Sequence, residues 1–329
     1  MSTLVVIVNY RTPALVVECL RSLEAEVHHS DATSVFIVDN DSRDGSLEHI
    51  TAAVNEHGWG HWVRVVASPV NGGFAHGNNI AIRSALAAGD PPDYVWLLNP
   101  DTRVREGALR ELLAFMSSRP EVGIAGSAIE DDEGQLWPYA FRFPSVLSEL
   151  DRGLRLGLVT RLLKRWTILE KMSESPAQVD WVSGASLMIR RRVIDEIGLM
   201  DEDYFLYFEE TDYCRMAGRA GWMCWYVPQS RVLHLAGQST GIGRRTTHTQ
   251  RTPKYWFDSR RRYFIKNHSR AYAVLADLVW ICSHAICQVR HALSGRRDPK
   301  PPHLLRDFVQ SSALLTSDIK CNLNARHCI

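Results

Sequence analysis

Five runs of consecutive apolar residues, "TLVVIVN", "SVFIVDN", "VRVVASP", "YVWLLNP" and "VGIAGSA", recur through about the first 130 residues of the chain. They are rich in Val, Ile and Leu and do not alternate with polar residues, the pattern of strands buried on both faces. Between them, "ALVVECLRSLEAEV", "SLEHITAAVNEHG", "AHGNNIAIRSALAAG" and "EGALRELLAFMSS" repeat apolar positions at helical spacing. Strands of that kind alternating with amphipathic helices imply an α/β fold with a mainly parallel central sheet flanked by helices. Such sheets bind ligands beyond the carboxyl ends of their strands. Those ends carry Asn9 and Tyr10, Asp39 and Asn40, Asn71 with Gly72 and Gly73, and Asn99, Pro100 and Asp101. The first strand-to-helix turn, "NYRTP", has no glycine, and the chain has neither G-x-G-x-x-G there nor a P-loop. These absences argue against a dinucleotide-binding Rossmann enzyme and a P-loop nucleotidase.

Beyond residue 130 the pattern changes. From about 135 to 178 it weakens into a variable insertion that includes the basic, amphipathic "RLGLVTRLLKRW". "VDWVSGASLMIRR" reads as a strand followed by a short helix to Ile197, and "WMCWYVP" and "RVLHLAG" read as a strand pair. The Gly-, Ser- and Thr-rich "GQSTGIGRRTTHTQR" reads as a lid over the site, and helices are expected near 254–267, 271–292 and 302–315. The expected division is a catalytic, ligand-binding domain over 1–243 and a lid with a basic helical appendage over 244–329.

The charge is divided as well. Residues 244–329 hold 16 Lys and Arg against 5 Asp and Glu, while the rest holds 22 against 32, so a net charge of +1 conceals a basic tail on an acidic body. Two readings stand for that tail: it faces an anionic partner such as lipid headgroups, or it neutralises the body. Seven cysteines without a C-x-x-C pair fit a reducing cytoplasm and no disulfide or zinc framework. The apolar start is short and lacks a basic lead, so it is expected to be a first strand rather than a signal peptide. "AYAVLADLVWICSHAICQV", interrupted by Asp277, His284 and Gln288, is not expected to span a membrane.

Four motifs carry chemistry. In "YVWLLNPDTRV" a buried strand delivers Asn99 and Asp101 to its end, where a carboxylate would hold a divalent cation against a diphosphate; an Asn-Pro-Asp turn capping the next helix is the competing reading. In "FIVDNDSRDGS", Asp39 would accept the N3–H of a uracil or thymine ring or else act as a turn residue, and Asp44 or Ser42 would cap the next helix. In "NGGFAHGNN", Gly72, Gly73 and Gly77, with Asn71 and Asn78, suit close approach of a sugar or phosphate at a helix start. In "FLYFEETDYC", Glu209 and Glu210 begin a helix among aromatic residues. An apolar setting and a neighbouring carboxylate raise proton affinity, which fits a general base; helix-start acids paired with Arg215 or Arg219 are the alternative. His234, the polar residue within "RVLHLAG", would join Asp101 in a shell for Mn²⁺ or Mg²⁺.

In order along residues 3–240, "VIVNYRT", "VDNDSRDGS", "NGGFAHGNN", "LLNPDT", "WVSGASLMIRR", "FLYFEETDYCRMAGRAGW" and "VLHLAGQS" resemble glycosyltransferase family 2, in its rhamnosyltransferase-like branch. The resemblance implies a GT-A fold, an inverting mechanism, a nucleotide-sugar donor and a divalent metal. Carried onto this chain, Asp39 reads the base within a pocket lined by Asn9 and Tyr10, and Asn99 and Asp101 stand at the family's acidic metal motif. With Asn in its first position, Asp101 must bind the metal with His234. Glu210 is the base beside Glu209, and Trp181 and Gly184 lie on the acceptor side, where a glycine would leave room for a sugar ring. The branch implies dTDP-L-rhamnose as donor and a glycan, often on a polyprenyl diphosphate, as acceptor. A lipid-linked acceptor would explain a cytoplasmic protein peripheral on the inner membrane face; the same apolar helix could instead pack on the domain or form a homodimer. No nucleic-acid partner is expected. The alternatives are UDP-galactofuranose or UDP-N-acetylglucosamine as donor, and a non-catalytic nucleotide-sugar-binding module. Arg244 and Arg245 would clamp the diphosphate or remain a solvated basic loop.

Overall fold

The computed structural model describes residues 1–28, 32–169, 172–235, 251–295 and 301–316. In chain order the first elements are β1 (Thr3–Asn9), α1 (Pro13–His28), β2 (Thr33–Asp39), α2 (Ser46–Glu56), β3 (Val63–Ala67), α3 (Gly73–Leu86), β4 (Tyr94–Leu98), β5 (Thr102–Val104), α4 (Ala108–Ser117) and β6 (Val122–Glu130). Next come β7 (Ala140–Phe141), α5 (Val146–Leu154), α6 (Gly157–Leu162), β8 (Ala177–Val179), β9 (Trp181–Val182), β10 (Ser186–Arg190), α7 (Arg191–Ile197), α8 (Glu209–Arg219) and β11 (Met223–His234). Three helices follow, α9 (Lys254–Asn267), α10 (Arg270–Leu293) and α11 (Leu304–Ser311). The chain separates into two compact units, one of residues 1–141, 171–202 and 209–243, the other of 142–170, 203–208 and 244–329. Arg244, Arg245 and nearly all of the expected lid lie outside the described residues.

The first unit is the α/β body. Its sheet runs β3-β2-β1-β4-β10-β6-β11-β5, with β8 also paired to β11. All five apolar runs are strands, and each residue of β1, β4 and β6 is buried. Full burial of a Val, Leu or Ile stabilises by about 1.5–3 kcal/mol, so these strands anchor the fold. β1, β2, β3 and β4 are parallel neighbours, while β10 runs antiparallel between β4 and β6.

Two local expectations change. The strand pair expected around Pro228 is one strand, β11, whose pairing with β6 shifts register between Val227 and Arg231. Proline cannot donate to a ladder, and an irregular step accommodates it without ending the strand. "VDWVSGASLMIRR" is broken rather than continuous: β9 pairs with β7, and after Ser183, Gly184 and Ala185 the chain joins the main sheet as β10.

The second unit is helical. Gly153 lies where α5 meets α10, and a Cβ on it would stand 1.8 Å from the Ser283 hydroxyl oxygen, so only glycine permits that approach. Across the unit, buried Arg260 of α9 bonds Glu149 of α5 at 2.8 Å and Asp277 of α10 at 2.5 Å. Arg261 pairs with Asp258 and Arg262 with Asp203. Part of the basic excess of the tail is therefore spent inside this unit, between its own helices.

Candidate active site

The site residues follow from the sheet register. In the parallel region Asn9 is level with Asp39, Asp39 with Ala67, and Ile7 with Leu98, so the carboxyl ends of four strands form one edge. At that edge Asn9 Nδ2 donates to Asp39 Oδ1 at 2.7 Å, and Ser42 Oγ donates to the same oxygen at 2.6 Å. The Ser42 backbone N–H reaches Asp39 Oδ2 at 3.1 Å. Oδ2 thus keeps acceptor capacity for another N–H. Arg11, Asp41 and Arg43 around this carboxylate all have positive φ, 56°, 58° and 54°. Non-glycine residues in that region are uncommon, and such strain concentrates where a chain is held for a purpose.

Asn40 ties the next loop to this edge. Its Nδ2 donates to Asn71 Oδ1 at 2.9 Å and its Oδ1 accepts from the Gly72 N–H at 3.3 Å. Gly73, with φ of 87°, then turns the chain into α3. Asn78 lies within that helix, its Nδ2 donating to the Phe74 carbonyl at 2.9 Å. The positions of Asn40 and Ser42 were legible in "VDNDS", but their bonds to Asn71, Gly72 and Asp39 were not, because polar residues after a strand look alike whether they turn the chain or organise a site.

Beyond β4, strand β5 pairs antiparallel with β11, and the register sets His234 opposite Thr102. That pairing brings His234 Nε2 to 3.1 Å from Asp101 Oδ1 and 3.2 Å from Asn99 Nδ2. Asp101 and His234 are both buried. The other ring nitrogen, Nδ1, is 2.8 Å from the Tyr139 hydroxyl, a partner not expected from the sequence. From Tyr139 an aromatic row continues to Phe141, 6.5 Å between centroids, and to Trp181, stacked on Phe141 at 4.3 Å. Trp181 therefore reaches the His234 edge through a row of rings.

β10 connects this edge to the acidic helix start. Ser186 pairs with Leu98, so the residues before β10 lie beside those after β4, and the Asn99 N–H donates to the Ala185 carbonyl at 3.2 Å. Gly184 adjoins Glu210: a Cβ on it would stand 3.9 Å from the Glu210 Cβ and 3.0 Å from the Phe74 ring. The Phe74 ring thus borders Gly184, and a side chain at this position would have to displace it by a few tenths of an ångström.

Helix α8 opens on Glu209, Glu210 and Asp212, and the two residues before it, Tyr207 and Phe208, have φ of 71° and 69°. Glu209 is buried and Glu210 partly buried. Burial pushes the Glu210 carboxyl above its ordinary value, outweighing backbone N–H groups of Glu210 itself, Gly184 and Thr211 that favour the charged form. Its Oε2 is buried and accepts no hydrogen bond. A carboxylate with raised proton affinity and one open oxygen has the properties of a base.

Known proteins resemble this chain in sequence and in fold. The family model described as glycosyltransferase like family 2 matches residues 2–264. N-acetylglucosaminyl-diphospho-decaprenol L-rhamnosyltransferase of Mycobacterium tuberculosis is 34% identical over 219 residues, 63% of this chain and 68% of that one. Rhamnosyltransferase WbbL of Escherichia coli is 28% identical over 166 residues, 50% of this chain and 61% of that one. Among solved structures, mannosyltransferase PcManGT from Pyrobaculum calidifontis, in complex with GDP-Man and Mn²⁺, superposes with a TM-score of 0.55 at 15% identity, covering 90% of this chain and 76% of that one. GalNAc-T7 with UDP, GalNAc and Mn²⁺ gives 0.56 at 16% identity, covering 94% and 58%. The strand-end edge, the acidic helix start and a family match over most of its length make this chain an enzyme of glycosyltransferase family 2, with the GT-A fold.

Proposed function

We propose that the chain transfers L-rhamnose from dTDP-L-rhamnose, with inversion, to a hydroxyl of a glycan carried on a polyprenyl diphosphate. The donor and acceptor rest on its relatives: those from Mycobacterium tuberculosis and Escherichia coli are named as rhamnosyltransferases, the former as acting on a decaprenol-linked sugar, and RfbF of Shigella flexneri is named as a dTDP-rhamnosyl transferase. The observation that carries the reaction type is the β4–β10 pairing, which sets the Asn99–Asp101–His234 group beside the Gly184–Glu210 group.

Asp39 would accept the N3–H of the donor's thymine at Oδ2, with Asn9 and Ser42 fixing the carboxylate. Asn71 and the turn at Gly72 and Gly73 would border the nucleotide. Asp101 and His234 would hold Mn²⁺ or Mg²⁺. Neighbouring ligands of an octahedral ion with bonds of about 2.1 Å lie ~3.0 Å apart, and these two atoms are 3.1 Å apart. With the Tyr139 hydroxyl oxygen accepting from Nδ1–H, Nε2 would be the ligating nitrogen. Among the described residues no group of three or more His, Cys, Asp or Glu side chains is arranged to hold a metal ion. Diphosphate oxygens and water would complete the shell, as is usual for Mg²⁺ at phosphate sites. When bound, the ion would offset charge on the departing diphosphate.

Glu210 Oε2 would take the proton of the acceptor hydroxyl as its oxygen forms a bond to the anomeric carbon. The bond from that carbon to the diphosphate oxygen breaks, its electron pair leaves with dTDP, and the sugar inverts. Glu209 and Asp212 would keep the negative charge of the helix start high, which further favours a protonatable neighbour.

The test incubates purified protein and Mn²⁺ with a short lipid-linked glycan and, separately, dTDP-L-rhamnose, UDP-galactofuranose and UDP-N-acetylglucosamine. Acceptor-dependent release of dTDP with an inverted linkage by NMR is expected. Preferential UDP release would reassign the donor, a retained linkage would remove Glu210 as the base, and donor binding without transfer would favour a binding module.

A further inference from the structure

The helical unit has a surface that the chemistry leaves unused. On α10, Leu275, Leu278, Ile286, Val289 and Leu293 are 42–86% exposed, and Cys282 is exposed as well. With 3.6 residues per turn these six fall within about 80° of one another, in a stripe running most of a helix ~36 Å long. The opposite face, with Ala273, Ala276, Asp277, Trp280, Ser283, His284 and Cys287, is buried. A helix of a soluble domain ordinarily shows polar residues outward, whereas α10 shows an apolar stripe outward in addition to the apolar residues it buries.

Residues 156–169 of the same unit add a second apolar and cationic surface. Leu158 and Leu162 are 69% and 71% exposed, and Trp166 and Leu169 also face solvent. Arg161, Lys164 and Arg165 are exposed between them, and residues 155–169 contain no acidic residue. The two surfaces are held in one unit: Arg290 of α10 donates to the Arg155 carbonyl at 3.2 Å, and Thr160 of α6 donates to buried Asp151 of α5, the helix packed on α10.

We infer that this face of the helical unit docks on an anionic phospholipid surface, with α10 lying in the plane of the interface. Leu, Ile and Trp side chains enter the headgroup boundary while Arg161, Lys164 and Arg165 meet lipid phosphates. Charge selects this occupant over a second copy of the chain. A two-fold pairing through the same face would bring two sets of like cations together, whereas an anionic membrane attracts both the cations and the apolar stripe. α10 has the length and composition of a spanning helix. Its buried face, however, carries Asp277 bonded to Arg260 and to the Ala313 N–H, so crossing the bilayer would tear the unit apart.

Flotation of the full chain with vesicles of phosphatidylglycerol and phosphatidylcholine tests the inference. It should float with the mixed vesicles, less so in high salt, and not with phosphatidylcholine alone. At about 1 kcal/mol per cation near such a surface, Arg161→Ala, Lys164→Ala and Arg165→Ala together should lower partitioning about 10²-fold. Ile286→Glu with Val289→Glu should abolish flotation while leaving the circular dichroism spectrum and gel-filtration volume unchanged. Failure of the full chain to float with anionic vesicles overturns the inference. So does a dimer in solution that this double variant converts to monomer.

Discussion

Glu210 and Glu149 are the same residue in two kinds of burial. Glu149, on α5 of the helical unit, gives Oε1 to Arg152 at 3.1 Å and Oε2 to Arg260 at 2.8 Å. Glu210, at the start of α8, keeps Oε2 buried with no hydrogen bond, and burial raises its proton affinity. A carboxylate whose two oxygens are both committed to guanidinium groups can only hold structure. One with an uncommitted oxygen at the edge of a sheet can accept a proton. Completeness of pairing, more than depth of burial, distinguishes the two.

The largest expected effect tests Glu210, the carboxylate proposed as the base. Glu210→Gln keeps shape and hydrogen bonds to backbone N–H but cannot take a proton. Turnover should fall by about 10²–10⁴-fold, with donor affinity by calorimetry nearly unchanged; retained turnover would assign the base elsewhere. The mirror experiment is Glu149→Ala, which strands buried Arg260 with one carboxylate partner fewer. Removing one member of a buried pair costs about 3–5 kcal/mol, so the denaturant midpoint should drop sharply while the rate per folded molecule holds. A variant as stable as the parent would show that Arg260 is satisfied without it. Exchanging these outcomes, with Glu210→Gln unstable and Glu149→Ala inactive but stable, would break the comparison itself.

Tyr139→Phe sharpens the site from one layer further out. The hydroxyl at His234 Nδ1 orients the ring, and partners of metal-binding histidines typically contribute 10–100-fold to metal affinity. The concentration of Mn²⁺ giving half-maximal rate should rise about 10-fold or more, with the rate at saturating metal largely recovered. An unchanged metal requirement would leave Tyr139 as a packing residue of the aromatic row.

The contrast also explains what could be read from the sequence. The five apolar runs announced their strands because burial on both faces, complete in β1, β4 and β6, admits mainly small and branched apolar residues. Asp39 and Asp101 were legible as candidates because polar residues stand out where such runs end, and Glu210 because adjacent carboxylates stand out after aromatic residues. Tyr139 was not, nor was the bond between Asn99 and Ala185 that joins the loop before β10 to this edge: both arise from cross-strand register, which spacing along the chain does not encode. The helical unit was harder still. The buried residues of α5 are Ser148, Glu149, Asp151 and Gly153, and α9 buries Arg260, Arg261 and Arg262. Hydrophobic periodicity assigns such positions to solvent, so pairing of the basic tail with carboxylates of its own helical unit was not among the readings offered for it.

The smallest effect concerns pH and stability, and its sign follows from the direction of the Glu210 shift. The folded chain holds the Glu210 proton more tightly than the unfolded chain, for which the ordinary carboxyl value of 4.5 applies. Between that value and the higher folded value the native state binds more protons, so this residue makes stability decline as pH rises through the interval. Glu210→Gln removes the decline. Melting temperatures of parent and variant should therefore coincide below the ordinary value and diverge above it, with the variant the more stable. Activity should move oppositely, because the base must be ionised: the acidic limb of kcat/KM should lie above 4.5. Parallel melting curves across the whole range would mean that Glu210 finds compensation for its charge in the folded chain, and the distinction from Glu149 would then rest on geometry alone.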